Sequence, residues 1–93
     1  MESQIESESP IIQVLVLSDN TILISKIIEI FADIGEPNCK LIDPYLIEND
    51  TKKLIPWLND VTDNTEFYLS SDKILTIVDP KNSLLDDYLE ITK

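Results

Sequence analysis

Apolar positions along the chain come in short β-branched runs separated by polar turns, a pattern of strands. The first run, Ile11–Leu17 (IIQVLVL), is followed by the turn Ser18-Asp19-Asn20-Thr21 and a second run, Ile22–Phe31 (ILISKIIEIF), which predicts a hairpin. Ile12, Val14 and Val16 point one way, Ile11, Leu15 and Leu17 the other, and only Gln13 interrupts them. One-sided antiparallel sheets alternate apolar with polar, so these strands are expected to be covered on both faces, in a barrel, a sandwich or a subunit interface.

The connection Ala32–Asn38 holds the chain's one glycine, Gly35, with Pro37 two residues on, and reads as a tight turn. A third strand is expected from Cys39 to about Glu48, with Pro44 at a bulge or on an edge, because proline gives the ladder no N–H. Asn49–Asn64 is the least regular stretch and reads as the longest loop. Within it, Trp57 reads more readily as the cap of a small core than as an exposed partner contact. Thr65–Leu69 and Lys73–Val78 flank Ser70-Ser71-Asp72 and predict a last hairpin, for five strands in all. Asp79-Pro80 has the form of a helix start, and Leu84, Leu85, Tyr88 and Leu89 make an apolar stripe, so a short amphipathic C-terminal helix is expected. Met1–Pro10 is Ser/Glu-rich and ends in proline, which predicts a disordered acidic arm. The expected organisation is therefore an arm over 1–10, a β domain over 11–80, and a helix and tail over 81–93.

Composition narrows the chemistry. The 93 residues include 18 acidic side chains, 7 basic ones, all Lys, and no His, for a net charge of −11. Such a field repels phosphate and attracts basic partners, and the residue best suited to bidentate phosphate contacts, Arg, is missing. Cys39 is the one cysteine, which rules out an intrachain disulfide and fits a reducing compartment. No run of 18 apolar residues is present and the N-terminus is acidic, so neither a membrane span nor a secretory signal is expected, and the cytoplasm is the expected location.

Without His, the nucleophile–His arrangements of serine and cysteine hydrolases are excluded, and no catalytic residue is assigned. Asp86, Asp87 and Glu90 on the helix, and Asp60, Asp63 and Glu66 around the long loop, read as solvated carboxylates, because nothing local would tune a general acid or base. The second group lacks the spacing and loop glycine of an EF-hand, so no metal and no cofactor are expected.

The first hairpin resembles the opening motif of Sm and LSm proteins: apolar strand, Leu-x-(Asp/Asn)-Gly turn, then a strand with a small residue at its bend. Leu17-Ser18-Asp19-Asn20 and Ser25 follow that layout, with Asn20 and Ser25 where glycines are usual. Phe31, Asp33, Asn38 and Leu41 align with the end of the motif, and Phe67–Leu75 resembles the second motif, with Ser70 where Arg is usual. Gly35–Pro44 and Ser71–Pro80 look like segments of uncharacterised Sm-like proteins from marine cyanophages and ocean metagenomes.

The resemblance implies a mostly β, Sm-like fold: a small, strongly bent, five-stranded antiparallel β-barrel with a short C-terminal helix. It implies a non-catalytic ring of about five to seven identical subunits, joined through Phe67, Tyr68, Ile74, Thr76 and Ile77. It also implies a nucleic-acid site, for single-stranded RNA or DNA, built from Asn38, Lys40, Ser70, Ser71 and Lys73. The alternative is a structural or protein-binding phage accessory ring without nucleic-acid affinity, which takes basic host or phage proteins as partners and works in the host cytoplasm.

Overall fold

A computed structural model describes residues 11–48, 50, 51 and 53–93, so the expected arm over 1–10 lies outside the described residues. Six strands and one helix are present among these: β1 (Ile11–Leu17), β2 (Ile22–Glu29), β3 (Cys39–Ile47), β4 (Leu54–Pro56), β5 (Glu66–Leu69), β6 (Ile74–Val78) and α1 (Asn82–Thr92). All strand pairs are antiparallel, in one sheet of order β4-β3-β2-β1-β6, with β5 also pairing β3. Among the described residues no helix is long and apolar enough to cross a membrane.

The β1–β2 hairpin forms where the hydropathy pattern puts it, from Ile11↔Ile27 to Val16↔Ile22. Its turn places Asn20 at φ 72°, the left-handed region that asparagine tolerates and β-branched residues do not. Asp19 accepts the N–H of Thr21 at 3.0 Å, and its bonds to Thr21 hold its carboxyl below the usual value.

The expected last hairpin does not form. β5 pairs β3 (Cys39↔Leu69 to Ile42↔Glu66), β6 pairs β1 (Val14↔Val78 to Leu17↔Ile74), and a 3-10 turn over Ser71–Lys73 separates them. That turn carries the chain from one end of the sheet to the other. In a flat sheet four strand spacings, about 19 Å, would part β5 from β6. The connecting residues, mostly wound at about 2 Å each, reach no more than about 13 Å. The sheet therefore curls until its two ends meet at this corner, where the N–H of Ser18 donates to the Lys73 carbonyl at 2.8 Å. Among the described residues no pair joins β5 to β6, so the expected barrel stays open. The long loop expected over Asn49–Asn64 also contains a strand, β4, paired with Tyr45–Ile47 of β3.

The curl gives β1 and β2 the cover on both faces that their sequence demands. On the inner face Leu15, Leu17, Leu23 and Leu41 form a buried cluster, closed by Trp57 and Phe67 with ring centroids 5.4 Å apart. On the outer face Val14 and Ile24 lie under Tyr88 and Leu84 of α1. Trp57 thus caps the core. The helix begins two residues later than Asp79-Pro80 suggests: Lys81 is its N-cap, without a side-chain cap bond, and the Lys81 carbonyl accepts the N–H of Leu85.

Pro44 sits at a bulge. Between Ile24↔Tyr45 and Lys26↔Ile42, Ser25 of β2 faces two residues of β3, Asp43 and Pro44, and Asp43 takes φ 53°. The wholly buried Ser25 hydroxyl shares its proton between the carbonyls of Lys26 (2.9 Å) and Ile42 (3.1 Å), which satisfies oxygens the broken ladder leaves over. Tyr88 closes the bulge from the other side. Its hydroxyl donates to the carbonyls of Asp43 (2.8 Å) and Ile42 (3.2 Å) and accepts the N–H of Lys26 at 3.3 Å.

Candidate functional site

The corner where β5 passes to β6 gathers the residues expected to contact nucleic acid. Asn38, at the end of the β2–β3 loop, is held against the 3-10 turn: its Oδ1 accepts the N–H of Ser71 at 2.8 Å and its Nδ2 donates to Ser71 Oγ at 3.0 Å. The Asn38 carbonyl accepts the N–H of Ile30 at 3.0 Å. Both ends of the amide are thus engaged inside the protein.

The other expected contacts are drawn in as well. Lys40 reaches Glu66 of the neighbouring strand at 3.1 Å, and that bond raises the lysine pKa. Ser70 Oγ donates to Asp72, which holds the Asp72 carboxyl low. Lys73 lies exposed at the end of the turn, its N–H donating to the Ser70 carbonyl at 3.0 Å.

An open cleft of ≈ 280 Å³ lies between this turn and the β2–β3 loop, bordered by Asp33, Ile34, Glu36, Asn38, Ser71 and Asp72. Three of these carry carboxylates, and no lysine lines the cleft. The loop is shaped by Gly35 at φ 90° and by a turn in which Glu36 N–H donates to the Asp33 carbonyl at 3.0 Å and Glu36 Oε1 accepts the Asp33 N–H at 3.3 Å. Phe31 and Ile34 on this loop are fully exposed, at 107% and 105%. Sequence reasoning placed Phe31 inside the second strand. β2 ends at Glu29, and the signal that it does is the cluster of turn-forming residues from Asp33 to Pro37.

The expected interface residues fall on the two ends of the sheet. On β5, Phe67 turns into the core beside Trp57, while Tyr68 is 61% exposed. On β6, Ile74 packs against the core while Thr76 and Ile77 are exposed, together with Leu75 and Val78. Beside β6 the inner face continues as a largely apolar groove of ≈ 500 Å³, lined by Ile11, Ile27, Cys39, Ile74 and Ile77 among others. Burial, aided by the charge of Glu29, pushes the Cys39 thiol up, so it stays protonated and acts as a small apolar wall.

A family model described as a family of unknown function (DUF6561) matches residues 10–93. No curated protein matches the chain.

Proposed function

We propose that this chain, which belongs to the family of unknown function DUF6561, is a non-catalytic, Sm-like subunit that joins edge to edge into a closed homo-oligomeric ring. The observation that carries this reading is the pair of open sheet ends. β6 pairs only β1 and β5 pairs only β3 among the described residues, so each has a ladder edge to offer, flanked by exposed Tyr68 on one and Leu75, Ile77 and Val78 on the other. Open edges with apolar neighbours invite pairing, and joining β5 of one copy to β6 of the next is a head-to-tail contact that a ring closes without leftovers. The bend at Ser25 and the left-handed Asn20 fall where the Sm motif has its small residues, which supports the Sm-like reading. The apolar groove beside β6 gives a neighbouring strand somewhere to seat side chains.

Sedimentation at micromolar concentration tests this. A single closed species several times the subunit mass is expected, reduced to folded monomer by Tyr68→Glu or Ile77→Glu; a wild-type protein that is monomeric throughout sinks the reading.

A second reading, a ring that binds single-stranded nucleic acid, is favoured by the meeting of Asn38 with the Ser71 turn. The engaged amide, the Lys40–Glu66 pair and the carboxylates of the cleft make such binding weak. Titration with labelled oligo-U and single-stranded DNA at two salt concentrations discriminates, since each phosphate contact contributes a log–log slope of about −0.7.

A further inference from the structure

We infer that the cleft between the β2–β3 loop and the Ser71–Lys73 turn is a docking site for a basic peptide segment that carries apolar side chains. Two independent features meet there. Ile34 lines the cleft and Phe31 stands three residues before it on the same loop, both fully exposed, and the loop backbone is tied down at its ends by the Ile30–Asn38 and Asn38–Ser71 bonds. Exposed aromatic and branched side chains on a held loop are the composition of binding anchors, since little ordering cost remains to be met on docking.

The second feature is charge. The Asn38 amide and the Ser71 N–H are spent on each other, and Ser70 Oγ donates to Asp72, so these polar donors of the cleft are consumed internally. The Glu36 and Asp72 carboxylates each take one internal bond, from the Asp33 N–H and from Ser70 Oγ, and their second oxygens together with the Asp33 carboxylate remain as acceptors. Phosphate needs donors and positive charge, whereas Lys and Arg side chains bring donors to waiting acceptors. The net charge of −11 adds long-range attraction for the same class of partner. The inference deepens the ring reading by naming its partner, but every lining residue belongs to one subunit, so docking does not require assembly.

The test uses a fluorescently labelled peptide of alternating lysine and phenylalanine, with oligolysine of equal charge and oligo-U as comparisons, read by anisotropy against the full chain. The mixed peptide is expected to bind most tightly. Asp33→Asn with Asp72→Asn, and separately Phe31→Ser with Ile34→Ser, should each weaken it by about tenfold or more. Asp86→Asn with Asp87→Asn, which removes equal charge from α1, should change it little. All these side chains are exposed, and circular dichroism of each variant checks that the fold is kept. The inference is overturned by oligo-U binding more tightly, by no peptide binding at low salt, or by loss of affinity equal in the α1 control. Sedimentation on the same samples separates the two ideas: peptide binding to a monomer retains the docking site and removes the ring.

Discussion

The Tyr88 hydroxyl donates to the main-chain carbonyl of Asp43 at 2.8 Å, 45 residues away in sequence, and so pins α1 to the bulge that bends β3. Its ring meets that of Tyr45 edge-on, with centroids 5.9 Å apart and planes at 87°. Tyr88→Phe keeps the ring but leaves the bulge carbonyls and the Lys26 N–H short of a partner, and should cost about 1–3 kcal/mol. Tyr88→Ala adds a cavity between helix and sheet and should cost about 3–5 kcal/mol. Urea unfolding measures both; equal stability of Tyr88→Phe and wild type would mean the hydroxyl is replaceable by water.

The same hydroxyl sets an alkaline limit. Burial raises the Tyr88 pKa above its ordinary value of 10.0, so above that pH the unfolded chain loses this proton while the folded chain retains it. Stability from this group is complete below pH 10 and should then fall by up to about 1.4 kcal/mol per pH unit. Denaturation midpoints between pH 9 and 11 are expected to drop more steeply for wild type than for Tyr88→Phe.

The Asn38–Ser71 clasp ties the β2–β3 loop to the turn that carries the chain across the sheet. Asn38→Ala and Ser71→Ala should each destabilise by about 1 kcal/mol, with the double variant costing clearly less than the sum. Additive effects in that cycle would mean the two side chains act separately.

Asn20, at φ 72°, carries the first hairpin turn. Asn20→Gly should be neutral to within about 0.5 kcal/mol, while Asn20→Val forces a β-branched residue into the left-handed region and should cost about 1–2 kcal/mol. Thermal melts of the two variants check the ordering.

Removing Asn82–Lys93 uncovers Val14, Ile24 and Tyr45 on the outer face. The truncated chain should lose cooperative unfolding and bind a hydrophobic dye, because a sheet this small needs both of its faces buried. A truncated protein with an unchanged melting profile would show that α1 contributes nothing to the core.

Hydrophobic patterning by itself determined the local elements. Ile11–Leu17 is a strand to the residue, Pro44 breaks a ladder because it has no N–H to give, and Leu84 and Tyr88 recur at the helical spacing that buries one stripe. It also required β1 and β2 to be covered twice, since neither face is polar. Partner choice was not in that pattern: Thr65–Leu69 and Lys73–Val78 look like a hairpin, and alternation reports which face of a strand is buried without saying which strand lies beside it. Only the curl of the sheet, fixed by the Ser25 bulge and the Tyr88 clip, brings β3 and β1 near enough to take β5 and β6 separately. The same curl delivers Ser71 to Asn38, commits the side-chain amide of a residue that the Sm resemblance places in a nucleic-acid site, and leaves Phe31 outside. Those outcomes rest on contacts between residues 24 to 64 positions apart, which are decided by three-dimensional closure and by the need to satisfy buried carbonyls.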